Sequence, residues 1–359
     1  MKMLQTPLKD LIITSLVSVA AFYGSWSLLT EILRTILPFG IILALILFCS
    51  GYFLRVPAPN PDVVEAIVGK DPHLVTTNDD NYVMKTVAHR GAGLDAPENS
   101  LAAFNLCNDK GCDAIEFDIT LTKDDVPVVF HDDTLKRMTD LNLKISEHKW
   151  ADLSGVDISV KHLFKDRFAK TNIPTLEQTV TQLLASGQRM FIDIKDHNKK
   201  FVKIIHSLFE RHPALYSRAV VTSFYPIIIY LIRKGDPKIV CSLAWRPHAF
   251  AYESYNFPLG KGPRRSTNWW KHCTLKFCDI LHEWALHRIT YYILGLSIIL
   301  LHKDVVSGRA VLDWRKRGVR VMAWTVNTPV EKQYLARVLK ITYLTDTLTG
   351  EGTTHSPPL

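Results

Sequence analysis

The chain has 359 residues, with 43 Lys and Arg against 35 Asp and Glu, for a formal charge of +8. That length suits one α/β barrel of about 250 residues carrying additions. The basic excess admits nucleic acid, anionic lipid or phosphate-bearing substrates. However, the basic residues are scattered, and neither zinc-finger spacing nor an aromatic RNA-binding strand occurs, so nucleic acid is set aside as a partner.

Residues Leu11–Thr30 and Thr35–Leu54 are uncharged and mostly apolar, each about the ~20 residues a helix needs to cross a bilayer core. They predict an integral membrane protein with an anchor over residues 1–55. A cleaved signal peptide is disfavoured, because ~7–15 apolar residues would suffice and no clear small-residue cleavage site precedes the second stretch. Only Glu31–Arg34 separates the two, which predicts either a tight hairpin or one span with the other segment lying shallow. Lys2, Lys9, Arg34 and Arg55 give little asymmetry from which to read orientation.

Residues 56–85 read as a proline-containing stalk followed by a short helix and a polar loop. Thr86–Ala88 is a buried strand that stops at His89-Arg90-Gly91. A helical pattern over Ser100–Lys110 closes at Gly111. The next apolar run carries Glu116 and Asp118 two apart, so both carboxylates face the same way from a strand. A third run, Pro127–Phe130, ends at His131-Asp132 and reads as another strand with an ionisable residue at its C-terminal end. Strands alternating with helices, with chemistry at the strand ends, describe a parallel α/β barrel.

Beyond an irregular charged segment, 132–172, Thr175 caps a helix. Strands follow over Arg189–Asp196, Ala219–Ser223 and Ile239–Trp245. Ala249–Asn268 is loop-like, and Trp269–Leu301 is apolar enough to suggest another span. Asp279, Glu283 and Arg288 oppose that, at about 2.5–3.5 kcal/mol each near the bilayer centre, and a crossing would split the barrel. On a helix, Lys276, Asp279, Glu283 and His287 share one face, and Phe277, Ile280, Leu281 and Trp284 the other. An interfacial or re-entrant insertion over about 249–301 is therefore expected, ahead of a helix packed internally. Ile298–His302, Val319–Val326 and Ile341–Thr345 complete nine strand-like segments for eight barrel places. Val305–Lys316 and Pro329–Leu339 are helical, and 351–359 is a flexible tail. The six cysteines show no metal-binding spacing.

HRG, APENS, EFD and FHDD followed by TLKRMTD resemble the signature of the glycerophosphodiester phosphodiesterases. Asp193-Ile194-Lys195, Ser223-Phe224, Trp324-Thr325-Val326-Asn327 and Thr345-Asp346 extend the resemblance over Thr86–Gly350. WKHCTLKFCDILHEW and the Asp-Ile-Lys variant are similar to the animal membrane-bound branch. The resemblance implies a TIM (β/α)8 barrel of the phospholipase-C-like phosphodiesterase type over residues 86–350. It also implies a lumenal or extracellular catalytic domain at the plasma membrane or an endomembrane, whereas a hairpin with an inner N-terminus would put that domain in the cytosol. Two departures stand out. Thr139-Asp140-Leu141-Asn142 replaces a stretch where relatives often carry glycines, and Asp193 stands where many carry glutamate.

Glu116, Asp118 and Asp193 offer oxygen ligands only, suited to a hard divalent cation, with Mg²⁺ favoured over Ca²⁺. His89 and His131 are the expected acid–base pair. Arg90 and Lys195 suit phosphate oxygens. By the resemblance, Glu98 orients Arg90 or the metal shell, with capping of the helix at Ser100 as its alternative, while Trp324 and Asn327 receive the glycerol. For His197, His302, Arg246 and Asp346 structural roles are favoured. The expected reaction turns glycerophosphodiesters, such as glycerophosphoinositol or glycerophospho-N-acylethanolamine, into sn-glycerol 3-phosphate and an alcohol. The rivals are a lysophospholipase D acting on membrane lysophospholipids and a catalytically weak membrane scaffold for a signalling partner. Headgroup preference and oligomeric state are not legible.

Overall fold

In the computed structural model, eight short strands close into a parallel barrel whose register fixes which side chains meet at its C-terminal rim. The structure describes residues 6–75, 82–168 and 170–349; the polar loop expected around 76–81 and the tail 351–359 lie outside them. The barrel is formed by β1 (Thr86–Ala88), β2 (Ala114–Leu121), β4 (Arg189–Ile194), β5 (Ala219–Ser223), β6 (Cys241–Trp245), β7 (Ile298–His302), β8 (Arg320–Trp324) and β9 (Thr342–Thr345). The sheet runs β1-β9-β8-β7-β6-β5-β4-β2 and closes through β1 on β2.

The ninth segment, β3 (Pro127–Val129), pairs antiparallel with β2, Ile119 opposite Val129. It is therefore the supernumerary strand. His131 follows a hairpin partner of β2 rather than a third barrel strand, because the turn at Thr122–Val126 is too short for the crossover that a parallel neighbour requires.

Strand alternation divides the core in two. Ile115, Phe117 and Ile119 of β2 face outward against Phe104 and Cys107 of α3 (Leu101–Asp109) and against Leu176 and Val180 of α4 (Leu176–Ala185). Phe191, Val220, Leu300, Met322 and Leu344 fill the barrel, together with Val64, Ile67 and Val68 from the short helix Pro61–Val68. Ile67 is wholly buried, a burial that contributes about 1.5–3 kcal/mol, so the stalk helix is part of the barrel's core. Ser100 caps α3 by accepting from Ala103 N–H at 3.1 Å, which leaves Glu98 free of the capping role. In the irregular segment, Thr139 Oγ1 donates to Leu135 O and accepts from Leu141 N–H, both at 3.0 Å, so a buried hydroxyl closes the loop where glycines were expected.

Residues Met1–Arg55 separate as their own unit. Within it a single helix, α1 (Thr6–Leu54), runs through both apolar stretches and through Pro38, so the hairpin is not formed. Glu31–Arg34 contains no glycine or proline to end a helix, and Arg34 Nη1 pairs with Glu31 at 3.2 Å along the helix. Asp10–Leu43 is long and apolar enough to cross a bilayer.

Candidate active site

The rim is built by register. Asp118 and Asp193 are direct partners across β2 and β4, and Glu116 lies one inward position earlier on β2. Ligand oxygens of the three lie within 4.8 Å of one another, all buried. Asn99, from the PENS turn, brackets Asp118: its Nδ2 donates to Oδ2 at 2.8 Å and its Oδ1 accepts from Asp118 N–H at 3.1 Å. Asn99 and Arg90 both adopt positive φ, which turns the Arg90 N–H onto Glu116 Oε2 at 2.8 Å. Gly91 is required next to it: its φ is +74° and a Cβ there would sit 2.8 Å from the Phe104 ring.

Charge is concentrated here. Lys195 Nζ lies 2.8 Å from Asp118 Oδ1 and also donates to Asp193. Arg90 Nε lies 3.3 Å from Asp118. Burial alone would raise the Asp118 carboxyl, but Lys195 and Arg90 outweigh it and hold it well below the usual range. Burial, reinforced by Asp118, pushes Glu116 upward instead. Among the described residues, Asp193 Oδ1 is buried without a hydrogen-bond partner, and Asp118 Oδ1 has the Lys195 ion pair but no hydrogen bond of good geometry. Buried carboxylate oxygens left in this state, on an all-oxygen donor set, fit a hard divalent cation.

Each histidine is backed by a carboxylate. His89 Nδ1 is 2.6 Å from Asp346 Oδ1, and its Nε2 is 3.9 Å from Glu116. His131 Nδ1 is 2.5 Å from Asp132 Oδ1. Behind them runs an ionic chain. Arg137 donates from Nε to Asp132 at 2.5 Å and through both terminal nitrogens to Glu98 at 2.9 and 2.6 Å, while Glu98 also accepts from Arg90 Nη1 at 3.1 Å.

His89, Arg90, Glu116, His131, Asp193, Lys195 and Trp324 all line one cavity of about 470 Å³. Asp118 lies fully buried beneath it. Glu98, expected to orient Arg90 or the metal shell, and Asn327, expected at the glycerol, are not on its wall. Glu98 joins Arg90 to Arg137, and Asn327 holds Asp346, donating to its Oδ2 at 2.8 Å and accepting its N–H at 2.9 Å. Trp324 borders the cavity with its Nε1–H committed to Leu300 O at 3.1 Å. Asp132, Arg137 and Asn99 enter the site beyond the residues picked out in the sequence, and Asp346, for which a structural role was favoured, stands behind His89. The available signals were their places in TD, HDD, TLKRMTD and PENS. Arg246, by contrast, spends its guanidinium on backbone carbonyls of Pro247, Tyr252 and Glu253.

Residues 89–348 match the glycerophosphoryl diester phosphodiesterase family. The chain belongs to this family. Human glycerophosphodiester phosphodiesterase 1 is 33% identical over 272 residues, covering 76% of this chain and 80% of the human one. A human lysophospholipase D is 31% identical over 135 residues, 36% of this chain and 42% of its own. An Oleispira antarctica phosphodiesterase, solved in complex with the product sn-glycerol 3-phosphate, aligns with a TM-score of 0.54 at 22% identity over 73% of this chain and 92% of that one; this likeness shows the common barrel. As a glycerophosphodiester phosphodiesterase, the chain is a phosphoric diester hydrolase.

Proposed function

We propose that this chain is a membrane-anchored, divalent-metal-dependent enzyme that hydrolyses X-phospho-glycerol to sn-glycerol 3-phosphate and the alcohol X. The observation that carries this reading is the buried cluster of Glu116, Asp118 and Asp193, opening on the same cavity as two imidazoles that each have a carboxylate behind Nδ1.

Glu116, Asp118 and Asp193 would hold the cation, Mg²⁺ before Ca²⁺. When bound, it would neutralise charge on the phosphate oxygens and polarise phosphorus toward attack. Arg90 and Lys195 bind the non-bridging oxygens, where charge grows in the transition state. Asp346 and Asp132 fix each Nδ1 as the hydrogen-bonded nitrogen and leave each Nε2 for the reaction. One imidazole takes the proton of the attacking hydroxyl, which is the glycerol 2-hydroxyl or water. The other, protonated, gives its proton to the departing alkoxide of X. With the glycerol hydroxyl as nucleophile, a cyclic phosphate forms and water then opens it, so a single water is consumed overall.

Membrane anchoring rests on α1, whose apolar side chains from Leu11 to Ile46 and from Tyr52 to Leu54 are exposed. The catalytic body is read as lumenal or extracellular, on the family resemblance of the animal membrane-bound branch. Glycerophosphoinositol and glycerophospho-N-acylethanolamine are the proposed substrates. The partial match to a human lysophospholipase D makes lysophospholipid the alternative. The test is the detergent-purified full chain offered all three substrate types with Mg²⁺, with and without chelator. Chelator-sensitive glycerol 3-phosphate from the deacylated diesters supports the reading. Lysophosphatidic acid from lysolipid alone would replace it, and no product from any would overturn it.

A further inference from the structure

The insertion between β6 and β7 contains a helix turned inside out. In α7 (Trp269–Ala285) the buried residues are His272 and Asp279, whereas Trp269, Trp270, Phe277, Ile280, Leu281 and Trp284 are 47–75% exposed. Asp279 is inward because it is used: its two oxygens accept the N–H groups of Phe250 and Ala251 at 2.8 and 3.0 Å. Phe250, with His282 of α7, then lines the active cavity. The helix thus carries the cavity wall on its polar side and an apolar stripe left exposed by the described residues on the other. Phe257 and Leu259, at the tip of the small hairpin that precedes it, are 75% and 88% exposed. A water-facing helix would show the opposite pattern, and an exposed apolar helix face of this kind marks an interaction surface.

The composition of the face selects the partner. Two of its aromatics are adjacent tryptophans. Exposed Lys271, Lys276 and Arg288 lie on the same helical run and exposed Arg264 in the loop before it, and the Arg288 guanidinium lies 5.4 Å over the Trp284 ring. Tryptophan with long basic side chains is the composition of a bilayer–water interface, where rings sit at headgroup level and cationic tips reach the phosphates. The way the chain enters the body adds to this. Val56, separated from α1 by Arg55 alone, donates its N–H to Ile293 O at 2.8 Å, at the end of the helical run that continues from α7. Gly295 allows that approach: its φ is +58°, and a Cβ there would lie 2.2 Å from Val56 O. Wholly buried Arg233 then donates to Pro57 O at 2.5 Å. The stalk is therefore fastened to the same helical run that presents the apolar stripe.

We propose that the exposed face of α7, with the Phe257–Leu259 tip, docks into the headgroup and upper acyl region of the bilayer that α1 occupies, so that the active cavity works at the membrane surface. This rests on the reading of α1 as the anchor. The test uses the full chain in phosphatidylcholine–phosphatidylserine vesicles containing lipids brominated on their acyl chains, which quench nearby tryptophan. Wild type is compared with Trp26→Phe, which silences the reporter in α1, and with Trp269→Phe/Trp270→Phe/Trp284→Phe, which silences α7 while keeping its face apolar.

The expected result is that the triple variant loses a large part of the quenchable emission beyond the part assigned to Trp26. Quenching that depends on Trp26 but is unchanged in the triple variant would overturn docking and leave the anchor standing. No dependence on either would remove both. Unchanged quenching in the triple variant, together with a dimer that Phe277→Ser/Ile280→Ser dissociates, would give the face to a second copy of the chain.

Discussion

Asp346 Oδ1 stands 2.6 Å from His89 Nδ1 because the strands before them are in register, Ala88 opposite Thr345. Burial alone would raise the Asp346 carboxyl; the hydrogen bond and charge of His89 outweigh it and keep the carboxyl below its usual range. A held anion at Nδ1 fixes the tautomer and stabilises the imidazolium when Nε2 takes a proton. Asp346→Asn keeps the shape but loses that charge. It is expected to lower kcat by about 10²–10⁴-fold with KM little changed. Steady-state kinetics, with a melting curve to verify folding, check this, and an unaltered kcat would show that the pair is structural.

The three buried carboxylates should bind a cation apart from any turnover. Mg²⁺ at about 100 times its dissociation constant should stabilise the wild type by about 2.7 kcal/mol, seen as a higher Tm in detergent. Asp118→Asn should abolish that rise. The same variant is expected to release no glycerol 3-phosphate. A Tm rise that persists in Asp118→Asn would place the cation elsewhere.

Asp132 links His131 to Arg137. Burial would raise its carboxyl, but hydrogen bonds from His131 and Arg137 outweigh that and bring it from 3.8 to about 2. A carboxyl lowered on folding stabilises the protein above its unfolded pKa, and that stability is lost as pH falls from about 4 through about 2. Allowing for its partial exposure, the contribution is on the order of 1–2 kcal/mol. Asp132→Asn should therefore lower Tm at neutral pH and flatten the loss of stability in acid. Equal acid sensitivity in both proteins would contradict the assignment.

Arg137 is the hub that Glu98 and Asp132 share. Arg137→Ala removes one donor from each carboxylate, leaving Glu98 to Arg90 and Asp132 to His131, and should cost about 1–3 kcal/mol, with a fall in kcat from a loosened His131. Arg137→Lys, which cannot make the forked contact, should recover little of either. Full recovery by lysine would mean that only charge matters there.

Because residues 1–55 and the remainder are separate units, a chain beginning at Val56 should fold with the stalk helix still plugging the barrel. It should keep turnover of water-soluble glycerophosphodiesters while no longer remaining in membranes after alkaline carbonate extraction. Persistence in the membrane would point to α7 as a sufficient attachment.

The barrel was legible because two periodicities are written into the chain: strand alternation placed Glu116 and Asp118 on one face, and short apolar runs ending in ionisable residues marked the rim. Strand direction was not legible. Pro127–Val129 looks like its parallel neighbours, and only its pairing reveals a hairpin with β2. Glu31–Arg34 was equally ambiguous, since charged residues between apolar runs suit a turn or a continuous helix, and helix propensity prevailed. The residues behind the two histidines were the hardest to see. Asp346 and His89 are 257 positions apart, and the contact exists only once the barrel closes. The local support, Asp132 beside His131 and Asn99 within PENS, lay in motifs already in view but had no role until the geometry assigned one.

Hydrolysis of glycerophosphoinositol by the full chain in heavy-oxygen water tests the chemistry most directly, with products resolved by mass spectrometry. Attack at phosphorus with departure of the headgroup alcohol predicts one heavy oxygen in the phosphate of sn-glycerol 3-phosphate and none in inositol, with both products lost in His131→Ala. Label in inositol, or phosphate left on inositol with free glycerol, would contradict it.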